Sequence, residues 1–260
     1  MKLKFSKYQG TGNDFIVIDN RIEDNHLSVN QVSFLCDRRF GIGADGLMLL
    51  ENVENYDFKM VYFNSDGNES SMCGNGGRCL VRFANDLGIV KDSCVFLAID
   101  GEHHAKITTD KIELKMIDVS KVKRLENDFW LNTGSPHYVK YVKDLEDYPV
   151  FEDGRKIRYS GSFMMQNGTN VNFAEKLSNN KLKVRTYERG VEDETLSCGT
   201  GVTAVALTAL LESQSSGRVE IEVKGGVLEV KANYLGGEKF NDVWLIGPAT
   251  FVFSGEIELK

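Results

Sequence analysis

A chain of 260 residues, 42% hydrophobic and 10% aromatic, can bury a full core and is long enough for one large domain or two small ones. Its formal net charge is −7, with both signs interspersed and no run of five basic residues, so no surface is expected to follow a phosphate backbone and nucleic acid is not expected as a partner. Only a short apolar run precedes Asp19, and no stretch approaches 18 uninterrupted apolar residues, so neither a signal peptide nor a membrane partner is expected and the location reads as cytoplasmic.

Taken in chain order, the first half contains GNDFIVI (12–18) and the alternating, strand-like FKMVYF (58–63). SMCGNGGRC (71–79) then leads into a helix predicted from about residue 76 to 87. CVFLAI (94–99) and HHAKI (103–107) flank the hairpin signal Asp100-Gly101. The charged KVKRLEN (121–127) marks a boundary. With three prolines and no glycine- or serine-rich linker, the two sides are expected to be closely apposed. The second half runs through GSPHYVK (134–140), KVRTYE (183–188) and LSCGTGVTA (196–204), then a helix from about 201 to 211, then RVEIEV (218–223) and VLEVK (227–231) around Gly225-Gly226. That second helix is apolar nearly all round, which predicts enclosure by a curved sheet.

Cys73 and Cys198 lie 125 residues apart (198 less 73), and the same offset superposes GADG (43–46) on GTNV (168–171), FKMVYF on KVRTYE, and the two hairpin signals. GNDFIVI and GSPHYVK agree at the offset 122. The expected fold class is therefore α/β (α+β), with two pseudo-symmetric domains, each a curved, mostly antiparallel sheet or barrel around a central helix. Residues 1–124 would carry Cys73, with a final strand at about 250–260 returning to them. Residues 125–249 would carry Cys198, and the active site is expected in the interdomain cleft.

Five cysteines, an odd count, predict reduced thiols rather than a secreted disulfide framework. A cysteine at a helix start sits where unpaired N–H groups and the helix dipole favour negative charge, which can lower a thiol from ~8.5 to roughly 3.5–7.5. Glycines at 74, 76, 199 and 201 would let a ligand carboxylate or phosphate approach the backbone. A single Cys-Gly-x-Gly is more often a helix-capping turn; its duplication points to function. Cys36 and Cys94 read as core, and Cys79 is assigned no chemistry. Ligand spacing argues against a metal, since Cys73 and Cys79 are six apart and His103-His104 would face opposite sides of a hairpin. No lysine accompanies either glycine phrase and no P-loop is present, so no cofactor is expected. A cysteine hydrolase could use His137 as base but leaves the second cysteine unexplained. Two equivalent thiols suit inversion at a carbon beside a carboxylate, where a base removes the proton from one face and an acid returns one to the other.

SMCGNGGRC and SCGTGVTA, with TGNDFIVID, FNSDG, GTNV and YERG in the same order, closely resemble the diaminopimelate epimerase family over essentially the whole chain. The resemblance implies a pyridoxal-independent epimerase that interconverts LL- and meso-diaminopimelate, a small-molecule substrate, on the route to lysine and peptidoglycan. It implies Cys73 and Cys198 as the acid/base pair and the backbone at Gly74, Asn75, Gly199 and Thr200 as the carboxylate cradle. Asn13, Asn64, Asn170, Glu188 and Arg189 would hold the distal amino acid head, Arg189 as a fork for its carboxylate. His137 and Glu188 match positions that tune the thiols, and the family's frequent dimers allow a homodimer. Two departures stand out: Gly46 where many members have glutamine, and Ser135 where many have asparagine. The alternatives are a proline- or hydroxyproline-type isomerase of the same architecture and a non-catalytic carboxylate-binding protein.

Overall fold

A computed structural model describes residues 2–22, 25–165 and 167–259. The chain divides into two compact units, Met1–Leu114 with Gly247–Lys260, and Lys115–Ile246. The first unit contains β1 (Lys2–Gly10), β2 (Asn13–Asp19), α1 (Val29–Cys36), β3 (Gly46–Glu51), β4 (Phe58–Asn64), α2 (Gly74–Asp86), β5 (Ser93–Ala98), β6 (Gly101–Ile107) and β7 (Ile112–Lys115). The second contains β8 (Val122–Leu125), β9 (Asp128–Asn132), β10 (Pro136–Tyr141), α3 (Val150–Arg158), α4 (Gly161–Met164), β11 (Asn170–Ser178), β12 (Lys181–Glu188), β13 (Asp193–Thr195), α5 (Gly199–Glu212), β14 (Gly217–Val223), β15 (Gly226–Tyr234) and β16 (Phe240–Gly247). The last strand, β17 (Thr250–Glu258), belongs to the first unit.

The strands of the first unit pair in the order β17, β1, β2, β3, β4, β5, β6, β7, with β2–β3 and β4–β5 parallel and the others antiparallel. Those of the second pair in the order β8, β9, β10, β11, β12, β14, β15, β16, with β10–β11 and β12–β14 parallel and the others antiparallel. The two lists of directions are identical, so the internal repeat is one of topology. The fold is mixed α+β and mostly antiparallel. The units differ in where their first strand comes from: β8 meets β9 through a tight turn, whereas β17 comes from the far end of the chain.

Each sheet is covered on both faces, which is why its central strands read as continuous apolar runs. Ile16 and Ile18 of β2 and Leu47 and Leu49 of β3 pack with Val32 and Leu35 of α1. On the opposite face, Met48 Sδ and Phe15 Cε1 stand 3.2 and 3.5 Å from where a Cβ on Gly76 of α2 would be. Helix α2 also lies against β1, β3, β6 and β17. In the second unit Val171, Phe173 and Tyr187 pack with Val150 of α3. The alternate residues His137, Asn172 and Thr186 are buried on the other side, where α5 lies against β9, β10, β11, β12, β14 and β15. Both hairpins place glycine at left-handed φ, +119° at Gly101 and +140° at Gly226, as the turn chemistry requires.

The central helices begin at Gly74 and Gly199, earlier than the expected 76 and 201, because each cysteine is itself the extended residue from which the helix springs. Helix α1 starts at a reciprocal Ser28–Gln31 capping box. It is closed over by the C-terminal segment, whose Leu259 is 5% exposed among Val32, Leu35 and Leu3. Leu259→Ala is therefore expected to lower unfolding free energy by about 2–4 kcal/mol, measured by guanidinium denaturation. A change under about 0.5 kcal/mol would show that this segment does not hold the core.

Candidate active site

Cys73 and Cys198 occupy the same structural position in their respective units. Each is the N-cap of the central helix with extended backbone, φ −94° and −119°, and neither side chain makes a capping bond. Their carbonyls accept the first helical bonds, from Gly77 N at 2.7 Å and Val202 N at 2.9 Å. The N–H groups of a first helical turn have no intrahelical acceptor, so Gly74 and Asn75, and likewise Gly199 and Thr200, are suited to bind an anion. The other cysteines differ: burial pushes the thiols of Cys36, Cys79 and Cys94 up to about 12, leaving them as core residues. Among the described residues, no group of His, Cys, Asp and Glu side chains could hold a metal ion.

In the first unit Asn13, Cys73 and Asn75 come together. Asn13 Nδ2 donates to Asp45 Oδ2 at 2.5 Å, and a carboxylate can only accept, so the Asn13 carbonyl is turned the other way. That oxygen accepts from Cys73 Sγ at 3.8 Å and Asn75 Nδ2 at 3.4 Å. Arg38 clamps Asp45 and Asp14, and Lys7 adds a 2.8 Å pair to Asp14. Burial works against the charge on Asp14, but the two cations outweigh it and hold its carboxyl down at about 2. Asn64 stands apart, at the exposed end of β4, with its backbone N bonded to Asn68 O at 3.0 Å. Its partner across the ladder, Gly46, has no room for a side chain, because Tyr62 Cε2 and Phe63 O would each lie 2.6 Å from a Cβ. The tyrosine ring thus fills the space into which any side chain at this position would grow.

Arg78 was not read from the sequence as a site residue. It is fully buried on α2 and donates to Gly74 O at 3.2 Å, Asn75 Oδ1 at 3.0 Å, Thr11 Oγ1 at 3.4 Å and Pro248 O at 3.4 Å. Burial pushes its pKa down, while the Cys79 and Cys73 sulfurs act in the opposite direction. Its sequence signal was a charge on the buried side of an amphipathic helix.

In the second unit Cys198, Thr200, His137, Ser135 and Asn170 form one network. Thr200 Oγ1 lies 3.5 Å from Cys198 Sγ, 2.9 Å from His137 Nε2 and 3.2 Å from Ser135 Oγ. Ser135 Oγ is also 2.9 Å from His137 Nε2. Asn170 donates to Ser135 Oγ at 3.2 Å and Pro136 O at 3.0 Å, and accepts from Arg189 N at 2.9 Å, which ties the YERG turn to β10. Glu188 accepts from Thr195 Oγ1 at 2.9 Å. The Arg189 guanidinium forms no ion pair among the described residues. His137 is fully buried; that burial, together with the Arg189 charge, pushes it down to about 3, so the imidazole is neutral near pH 7.

Two motif glycines serve the protein's own packing rather than ligand approach. A Cβ on Gly76 would crowd Met48 and Phe15, and one on Gly201 would stand 2.3 Å from Asn172 Oδ1. Asn172, also not read from the sequence, therefore occupies the space that Gly201 leaves.

Two units of one topology, each with a cysteine at the start of its buried helix, define the class. The same fold occurs in a PhzF-family phenazine biosynthesis protein from Bacillus anthracis, at TM-score 0.79 and 14% identity over 100% of both chains. It occurs again in a hydroxyproline epimerase from Agrobacterium vitis, at TM-score 0.66 and 14% identity over 99% of this chain and 93% of that one. The diaminopimelate epimerase family profile matches residues 5–122 and 129–252, and the chain belongs to that family. It is 52% identical to the diaminopimelate epimerase of Flavobacterium psychrophilum over 98% of this chain and 100% of the relative. It is 44% identical to that of Chlorobaculum tepidum over 96% and 99%. Among the described residues no helix is long and apolar enough to cross a membrane.

Two outcomes follow from this geometry. Below about pH 6.5 the unfolded chain takes up a proton on His137 that the folded chain refuses until about pH 3, so stability falls as pH drops through that window. Guanidinium unfolding should show a slope smaller by about 1.4 kcal/mol per pH unit there for His137→Gln; equal slopes would mean that the folded imidazole is already charged. Gly201→Ala should displace Asn172 and cost about 1–3 kcal/mol, read in the same assay, and a neutral effect would mean that the amide moves aside freely.

Proposed function

We propose that this chain interconverts LL-2,6-diaminopimelate and meso-diaminopimelate by proton transfer at the α-carbon, with Cys73 and Cys198 as the acid/base pair. The observation that carries the reading is the cysteine repeated at equivalent helix starts, in a chain 52% identical to a diaminopimelate epimerase along its whole length. The α-carboxylate of the substrate is received by the backbone N–H groups of Gly74, Asn75, Gly199 and Thr200. One thiolate removes the α-proton and becomes a thiol. The electron pair left on carbon delocalises into the carboxylate, where the two helix N-termini stabilise the growing charge. The other thiol delivers its proton to the opposite face and becomes the thiolate, so protons balance and the pair is left in the reverse state.

The distal head carries a carboxylate and an ammonium. Arg189, whose guanidinium has no carboxylate partner among the described residues, takes the carboxylate as a bidentate fork. Glu188 and the side-chain carbonyls of Asn13, Asn64 and Asn170 accept from the ammonium. The bonds already made by Asn170 give it the added task of holding the Arg189 backbone. His137 and Glu188 tune the thiols, and a small polar substrate of lysine and peptidoglycan precursor synthesis supports a cytoplasmic enzyme.

Chiral chromatography of LL-diaminopimelate incubated with the protein tests the substrate, with meso product expected. Cys73→Ser and Cys198→Ser should each lower kcat by about 10²–10⁴. Arg189→Leu should lower kcat/KM for diaminopimelate by about 10²–10³. Absence of meso product from the wild-type protein defeats the substrate assignment; full activity in Arg189→Leu defeats only the distal contact.

A further inference from the structure

We propose that Asn172 is a positioning residue for proton transfer at Cys198: its amide fixes the tautomer of His137 and thereby directs the Thr200 hydroxyl proton onto the sulfur. This rests on the reading of Cys198 as an acid/base group.

Asn172 is fully buried on β11, on the face turned towards α5. Its Nδ2 donates to the Tyr138 carbonyl at 2.9 Å, an atom that can only accept, which fixes the orientation of the amide. Its Oδ1 accepts from Thr186 Oγ1 at 3.0 Å. The remaining Nδ2 proton points at His137 Nδ1, 3.1 Å away. Nδ1 must then present a lone pair, and in a neutral ring the proton sits on Nε2. Arg189 is the charged group that acts on this ring, and it disfavours a second proton.

The consequence is carried through a triangle of Nε2, Ser135 Oγ and Thr200 Oγ1, with sides of 2.9, 2.9 and 3.2 Å. With a proton on Nε2, the ring donates into the triangle and offers no acceptor there. Ser135, which already accepts from Asn170, donates its hydroxyl hydrogen bond to Thr200 Oγ1. The Thr200 proton is left to leave the triangle, and Cys198 Sγ lies 3.5 Å from its oxygen. In the opposite tautomer Nε2 would accept in the triangle and compete with the sulfur for the Thr200 hydroxyl proton. A hydroxyl donor favours thiolate over thiol, so Asn172 acts on the sulfur from two side chains away. The glycine at 201 supports this reading independently, since any Cβ there would stand 2.3 Å from the Asn172 oxygen.

Long-range proton–nitrogen correlation spectra of protein labelled with ¹⁵N-histidine should show His137 protonated on Nε2 alone at pH 7. A proton on Nδ1, or a doubly protonated ring, overturns the proposal. In Asn172→Asp the carboxylate accepts, so the proton should move to Nδ1. In a Cys73→Ser background, alkylation of Cys198 by iodoacetamide at pH 7, followed by peptide mass spectrometry, should slow about tenfold in both Asn172→Asp and Thr200→Val, equivalent to one pKa unit. Unchanged rates overturn it. Should Asn172→Asp not fold, the wild-type spectrum and Thr200→Val still decide. Neither readout uses diaminopimelate, so a wrong substrate assignment would leave both results standing.

Discussion

An α-helix begins with N–H groups that nothing inside the helix can satisfy, and this chain twice puts a cysteine at that point without letting the side chain cap it. Ser, Thr, Asp and Asn are the residues preferred at a helix start, where the side-chain oxygen can consume one of those donors. Cysteine leaves them for a ligand and sets a titratable sulfur beside them. Everything else in each unit serves to bury the helix that follows: the sheet strands lie on several of its sides, and the residues of α5 are almost all inaccessible. Burial keeps the end of the helix in a low-dielectric setting, where its dipole is worth more to a nearby negative charge than it would be in water.

The repeat is faithful in topology and unfaithful in chemistry. Cys73 faces the carbonyl of Asn13, an acceptor held in place by Asp45 and, behind it, by Arg38. Cys198 faces the hydroxyl of Thr200, which belongs to a network of hydroxyls, imidazole and amides. A reaction that enters from two stereoisomers needs both thiols to exchange roles, yet the surroundings of the two sulfurs need not match. The first unit uses a fully buried arginine to support Gly74 and Asn75; the second surrounds Thr200 with a serine hydroxyl and an imidazole that burial and the Arg189 charge keep neutral.

Much of this was readable beforehand. Period-two alternation and glycine turns revealed the strands around Phe58 and Lys183 and the hairpins at Gly101 and Gly226, because turn chemistry is local. The cysteine phrases exposed the repeat because glycine and cysteine tolerate few replacements at such a turn. Helix α3 was not legible: VFEDGRKIR buries only Val150 and Gly154, too thin a stripe to stand out from a charged loop. The parts played by Arg78 and Asn172 were hidden for a different reason. A polar residue declares itself only once the register shows that it points inwards, and the space beside Gly201 that admits Asn172 belongs to another element 29 residues away (201 less 172). For the same reason the glycines at 76 and 201 looked like ligand-facing positions when their neighbours in space are core side chains.

The central claim is that two sulfurs act on opposite faces of one carbon. It is tested most directly by starting the reaction in deuterium oxide from each stereoisomer in turn and analysing substrate and product at low conversion by mass spectrometry. Two opposed thiols predict deuterium in the product and none in the recovered substrate, from either direction, because the group that takes the proton is not the group that returns one. Deuterium entering the recovered substrate as fast as the product, or product formed without label, would mean that a single group works on both faces.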